Sequence, residues 1–226
     1  MIGVLDSGVG GFNSAKELMR LLPRCDIAYF ADRKNAPYGT KSEDELIYLV
    51  SRGIDRLSAL GAERILLACC TASTLWEKLD SRRKDISCPI IKWGISSLTG
   101  EENRVLVIAT EHTVRSGAFS RAIHEKFPEI SVYSEPMQSL VSAVERGARG
   151  NLSDSVAPEM EKLVKFCKVY VPDSLVLGCT HFSTVENEIK RRLPHVKIIN
   201  PAILGARALA QEVCAVRECG RVIYTE

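Results

Sequence analysis

Apolar residues fall along this chain in short blocks, at 2–5, 27–31, 65–68, 105–109, 175–177 and 196–199, only the last of them interrupted, by Lys197. A block of this kind predicts a strand buried on both faces, because a strand with one wet face would alternate. Between the blocks, apolar positions recur at helical spacing. Ser42-Glu43-Asp44-Glu45 is a capping box that opens a helix, and Gly61 closes it. Further helices are predicted over 13–22, 71–79, 116–127, 137–146, 153–166, 185–193 and 204–217. Alternating strands and helices predict an α/β fold with mainly parallel sheets flanked by helices.

The rhythm breaks at 93–103, where Gly94, Ser96, Ser97, Thr99 and Gly100 read as a crossover between two lobes. A second change of pace falls at Asn200-Pro201. The expected first lobe is therefore residues 1–93 plus 201–226, and the second is residues 94–200.

Charge removes some function classes. Thirty Lys and Arg stand against 28 Asp and Glu, interspersed without runs, so no nucleic-acid footprint is expected. Lys190, Arg191 and Arg192 sit at a predicted helix end and read as a solvated face. No apolar stretch reaches the roughly 18 residues of a membrane span, and Met1 leads straight into the first strand without a signal-like segment. A soluble, cytoplasmic protein is expected, and its eight cysteines are expected to be reduced thiols.

Ligands in open α/β sheets bind beyond the carboxyl ends of strands, so the motifs there carry most weight. Asp6-Ser7-Gly8-Val9-Gly10-Gly11 follows the first strand. It matches neither nucleotide-loop spacing, and its glycines can bring backbone N–H groups up to an anion such as a carboxylate. Asn35-Ala36-Pro37-Tyr38-Gly39-Thr40 follows the second strand with ordinary turn chemistry.

Ala68-Cys69-Cys70-Thr71-Ala72-Ser73 ends the third strand and opens a helix, and Gly178-Cys179-Thr180-His181 repeats the arrangement in the other lobe. A cysteine at a helix N-terminus is expected to have a depressed pKa. Two rival readings stand beside paired thiol chemistry. One is a metal site of Cys69, Cys70, Cys179 and His181, which lacks the C-x₂-C spacing of chelating pairs. The other is Cys-His hydrolysis by Cys179 and His181, which leaves Cys69 without a task.

Together these motifs resemble the glutamate racemase family, within the aspartate/glutamate racemase superfamily. The matching pieces are Asp6-Ser7-Gly8-Val9-Gly10-Gly11, Ala36-Pro37-Tyr38-Gly39-Thr40-Lys41, Ala68-Cys69 with Thr71-Ala72-Ser73, Thr110 with Thr113 and Ser116, and Leu177-Gly178-Cys179-Thr180-His181-Phe182. They follow family order across nearly the whole chain. The resemblance implies two similar α/β lobes with the active site in the cleft between them, no cofactor, no metal, and racemisation of a free amino acid by Cys69 and Cys179. It implies that Asp6 and His181 assist those thiols, and that Ser7, Pro37, Tyr38, Gly39, Cys70, Thr71, Thr110, Thr113 and Thr180 line the substrate site. Glutamate is the implied substrate, D-glutamate for peptidoglycan the implied product, and a homodimer the implied assembly.

The sequence departs from the family in places. Cys70 replaces an asparagine whose amide helps hold the substrate, and a thiol is a weak donor and poor acceptor. Aligning the two Cys-Thr pairs within the chain matches Cys70 to Cys179, whereas family position matches Cys69. His112 stands where a small residue is usual, and its type alone fits either a packed or a catalytic role. Two alternatives follow: a racemase of aspartate or another small amino acid, and an amino-acid-binding homologue with impaired catalysis.

Overall fold

The structure is a computed structural model and describes residues 1–148, 150–213 and 222–225. Strands β1 (Ile2–Asp6), β2 (Ile27–Ala31), β3 (Arg64–Leu67) and β4 (Ser87–Pro89) lie in one sheet. Strands β5 (Arg104–Ala109), β6 (Ser131–Pro136), β7 (Ser174–Gly178) and β8 (Lys197–Ile199) form a second, and β9 (Val222–Thr225) returns to the first. The orders are β4-β3-β1-β2-β9 and β6-β5-β7-β8, with every pairing parallel.

The central strands β1, β2 and β7 are buried along their whole length, as continuous apolar runs require. In each sheet the chain leaves its first strand to one side and then crosses to the other. From β1 it goes to β2 and then to β3 beyond β1; from β5 it goes to β6 and then to β7 beyond β5. Each reversal opens a crevice at the strands' carboxyl ends. Those ends carry Asp6 and Cys69 in one sheet and Thr110 and Cys179 in the other.

One apolar core joins the lobes. Ile91, Ile95 and Leu98 cluster with Val107, Phe119 and Ile123, while separate cores fill the far sides of the two sheets. The helix Pro201–Glu212 returns onto the first lobe, where Ser14 Oγ donates to Ala202 O at 2.8 Å. The crossover is fastened to β8: Glu102 accepts from the backbone of Thr99 and Gly100 and pairs with Lys197 Nζ at 2.8 Å.

Several expected elements differ in detail. Strand β6 was not predicted, because as a half-buried edge strand reading Ser-Val-Tyr-Ser-Glu-Pro it has no apolar block. The short edge strand β4, though largely buried, escapes because its three residues, Ser-Cys-Pro, make no apolar block, and β9 also lies outside the predicted blocks. The helix expected over 71–79 is a single turn, Cys70–Ser73, followed by a 3₁₀ turn, Trp76–Lys78. That expected over 116–127 is split at Gly117, whose φ of 65° ends Glu111–Ser116 and starts Ala118–Lys126. The helix expected over 185–193 begins with a 3₁₀ segment, Thr180–Val185, before Glu186–Arg192. The helix expected over 204–217 starts earlier, at Pro201, and residues 214–217 of that expectation lie outside the described residues. The capping box is present: Ser42 Oγ accepts from Glu45 N, and Gly61 follows the helix Glu43–Ala59 at φ 91°. Among the described residues no helix is long and apolar enough to cross a membrane.

Candidate active site

The two crevices face each other, and side chains from both line one narrow pocket. Ser7, Pro37, Tyr38 and Gly39 wall it from the loops after β1 and β2, and Cys69, Cys70 and Thr71 from the turn after β3. Thr110, Cys179, Thr180 and His181 close it from the second lobe. Asp6 and Thr113, also expected in the site, stand behind this wall and hydrogen-bond to residues that line it, Asp6 to Thr180 and Thr113 to Thr71 and Thr110.

Asp6 is fully buried at the end of β1. Its Oδ2 accepts from Gly8 N at 3.0 Å and its Oδ1 from Thr180 Oγ1 at 3.2 Å, across the lobes. Burial raises its pKa, against the opposing pull of His181 and these hydrogen bonds. The glycine loop was expected to offer its N–H groups to a bound anion. Instead Gly8 N is taken by the chain's own carboxylate, because the loop turns back over Asp6.

Cys69 occupies the N-cap position after β3, and Cys179 the equivalent position after β7. Cys70 and Thr180 are the first residues of the turns that follow. By position in the fold, Cys69 and not Cys70 therefore matches Cys179. The Cys69 thiol contacts Ser7 Oγ at 3.6 Å. Its expected depressed pKa is not found: burial, aided by the charge of Asp6, pushes it up to about 12. The backbone N–H of Ala72 and the Ser7 hydroxyl pull the other way and do not prevail. A helix of four residues has little dipole to set against complete burial. Cys70 is likewise raised, by burial first and then by Cys179, Cys69 and Asp6.

Cys179 has a different companion. Its Sγ lies 3.8 Å from His181 Nδ1. His181 Nε2 lies 3.3 Å from Glu145 Oε1, within ion-pairing range but not aligned as a hydrogen bond. Burial alone would lower the His181 pKa, but Cys179, Glu145 and Asp6 together lift it to about 10. The imidazole is thus pushed toward its cationic form beside Cys179.

Three threonine hydroxyls bridge the lobes at the opposite wall. Thr71 Oγ1 is 3.0 Å from Thr110 Oγ1 and 3.2 Å from Thr113 Oγ1, and the latter two are 2.9 Å apart. Tyr38 lines the pocket with its hydroxyl already engaged, donating to Asp32 Oδ2 at 2.7 Å. His112 is buried outside the pocket with Nε2 3.2 Å from Thr74 Oγ1, so it touches no pocket space. Among the described residues no three His, Cys, Asp or Glu side chains are grouped to hold a metal ion.

Sequence reasoning missed Gln138, Val141 and Glu145, which line the pocket from one face of the helix Gln138–Gly147. Their spacing of three and four marks a helix face. Nothing in that spacing says what the face looks onto.

Residues 24–209 match the sequence profile of the Asp/Glu/hydantoin racemase family. The chain is 34% identical over 222 residues to a glutamate racemase of Picosynechococcus sp., covering 94% of this chain and 76% of that protein. It is 35% identical over 220 residues to one of Desulforudis audaxviator, covering 92% and 77%. In three dimensions it is similar to the glutamate racemase of Francisella tularensis crystallised with D-glutamate, with a TM-score of 0.86 and 31% identity over 100% of this chain and 88% of that one. A glutamate racemase isoform of Bacillus anthracis gives a TM-score of 0.87 at 28% identity, covering 99% and 87%.

Proposed function

The chain belongs to the Asp/Glu/hydantoin racemase family, and on that premise we propose that it is a glutamate racemase that inverts Cα without a cofactor, by two-base proton exchange in which one of Cys69 and Cys179 takes the α-proton and the other gives its own. The observation that carries the reading is the placing of these two thiols. Each caps the turn after an equivalent strand of its own lobe, and both line one pocket.

Removing the α-proton and returning it to the same face regenerates the starting enantiomer. Inversion needs a base on one face of Cα and an acid on the other. The environments supply that asymmetry. Cys69, buried beside Asp6, is held as a thiol, whereas Cys179 has the imidazole of His181 3.8 Å from its sulfur as a partner for its proton. In one direction Cys179 takes the α-proton as the Cα–H bond breaks, and the Cys69 S–H gives its proton to the opposite face. The reverse reaction exchanges the roles. Thr71 and Thr110 present hydroxyls able to hold a carboxylate once they turn from one another and from Thr113 behind them, and Ser7 and Thr180 extend this polar lining. The narrow, buried pocket keeps water from the carbanion-like state.

In this reading the working lobes are residues 1–93 with 201–226 and residues 94–200, which matches the division of strands between the two sheets. A cytoplasmic location, a homodimer and supply of D-glutamate to peptidoglycan go with the same proposal.

The test is to incubate the protein in D₂O with L- and D-glutamate, then with aspartate, following α-deuteration and optical rotation. Both signals are expected with glutamate. Deuteration without a change in rotation would mean one working base, preference for aspartate would move the substrate, and neither signal with any amino acid overturns the proposal.

A further inference from the structure

Gln138 opens the helix Gln138–Gly147, and its Oε1 is buried with no hydrogen-bond partner. The oxygen is packed against the first lobe. A methyl group added at Gly39 would come within 2.6 Å of it and 2.7 Å of Thr110 Cβ, so only a glycine leaves room for the amide there. A carbonyl oxygen withdrawn from water is unfavourable unless some group donates to it. The nearby hydroxyls of Thr71, Thr110 and Thr113 are engaged with one another, and Cys70 offers only a weakly polar thiol.

The donor that belongs to an amino acid is its ammonium group. We propose that Gln138 Oε1 accepts a hydrogen bond from the substrate ammonium, making Gln138 a recognition residue contributed by the second lobe. The contact suits the chemistry: an amine held in its protonated form withdraws electron density from Cα and eases removal of the α-proton. It also supplies from the second lobe an amide that Cys70, next to Cys69, does not provide.

This inference rests on the racemase reading. It is tested by measuring glutamate racemisation and, separately, calorimetric binding of D-glutamate by the unmodified protein, Gln138→Leu and Gln138→Glu. Loss of a hydrogen bond to a charged group predicts that KM and Kd rise about tenfold or more in Gln138→Leu. The contact is present in ground and transition states alike, so kcat is expected to change by less than about threefold. Gln138→Glu keeps the acceptor and adds charge, so it is expected to bind at least as well as the unmodified protein. Unchanged Kd and KM in Gln138→Leu overturn the inference. Binding weaker in Gln138→Glu than in Gln138→Leu also overturns it, because the amide would then be serving a carboxylate. Absence of turnover by the unmodified protein overturns the racemase reading alone, and the Kd comparison still decides the contact.

Discussion

Thr180 donates its hydroxyl to Oδ1 of Asp6 at 3.2 Å, so a fully buried carboxyl of the first lobe is satisfied in part by the second. The bond runs between the loop that carries Cys179 and His181 and the loop that carries Ser7, which touches Cys69. Lobe closure and the polarity around both thiols therefore depend on the same pair. Thr180→Val leaves a buried acceptor short of a donor and is expected to destabilise the fold by about 1–3 kcal/mol. Urea denaturation of the two proteins checks this; equal midpoints would mean that water replaces the hydroxyl.

Gly10 lies where the loop after β1 packs against the Thr180-His181 loop of the second lobe. A Cβ at this position would stand 2.5 Å from Thr180 Oγ1 and 2.8 Å from the His181 backbone N. Gly10→Ala must push the two loops apart, with overpacking of about 1–3 kcal/mol. Racemisation is expected to fall by about 100-fold, because reacting groups displaced by an ångström lose their alignment. Kinetics on the folded fraction distinguish this from simple loss of protein.

The neighbouring cysteines are separable by substitution. Cys69→Ser is expected to lower racemisation by about 10²–10⁴-fold, as removal of an acid/base group does. Cys70→Ser is expected to retain most of it. The reverse pattern in parallel assays would make Cys70 the partner of Cys179 and set aside the positional match of the two cap residues.

His181 links the site to pH. Its folded pKa, about 10, lies above the ordinary value of 6.5, so its protonated form stabilises the native state. That contribution is complete below about 6.5 and fades as pH rises through about 10. His181→Gln is therefore expected to be most destabilising, relative to the unmodified protein, near pH 6, with the gap narrowing toward pH 10. Denaturation curves at several pH values measure it, and a gap that widens with pH would contradict the assigned cause.

Much of the fold was legible because its signals are local. An unbroken apolar block such as 105–109 can only be a buried element, and Ser42 with Glu45 marks a helix start whatever lies around it. The edge strands β4 and β6 were not legible, since an edge strand need not be apolar throughout. The turn after Cys69 was misjudged in length: the helical pattern over 71–79 is realised as one α turn, Cys70–Ser73, and one 3₁₀ turn, Trp76–Lys78.

The sequence alone determined that this is an α/β chain with motifs at the ends of its strands, and the order of those motifs pointed to two thiols, Cys69 and Cys179. What it left open was how they are made unequal. Only the tertiary structure brings Asp6 close enough to help hold Cys69 as a thiol, and sets His181 and Glu145 beside Cys179. It also turns the face of Gln138, Val141 and Glu145 onto the pocket. Burial and charge are properties of surroundings, and the surroundings of Cys69 and Cys179 come from strand order and from the opposite lobe, which spacing along one chain does not encode.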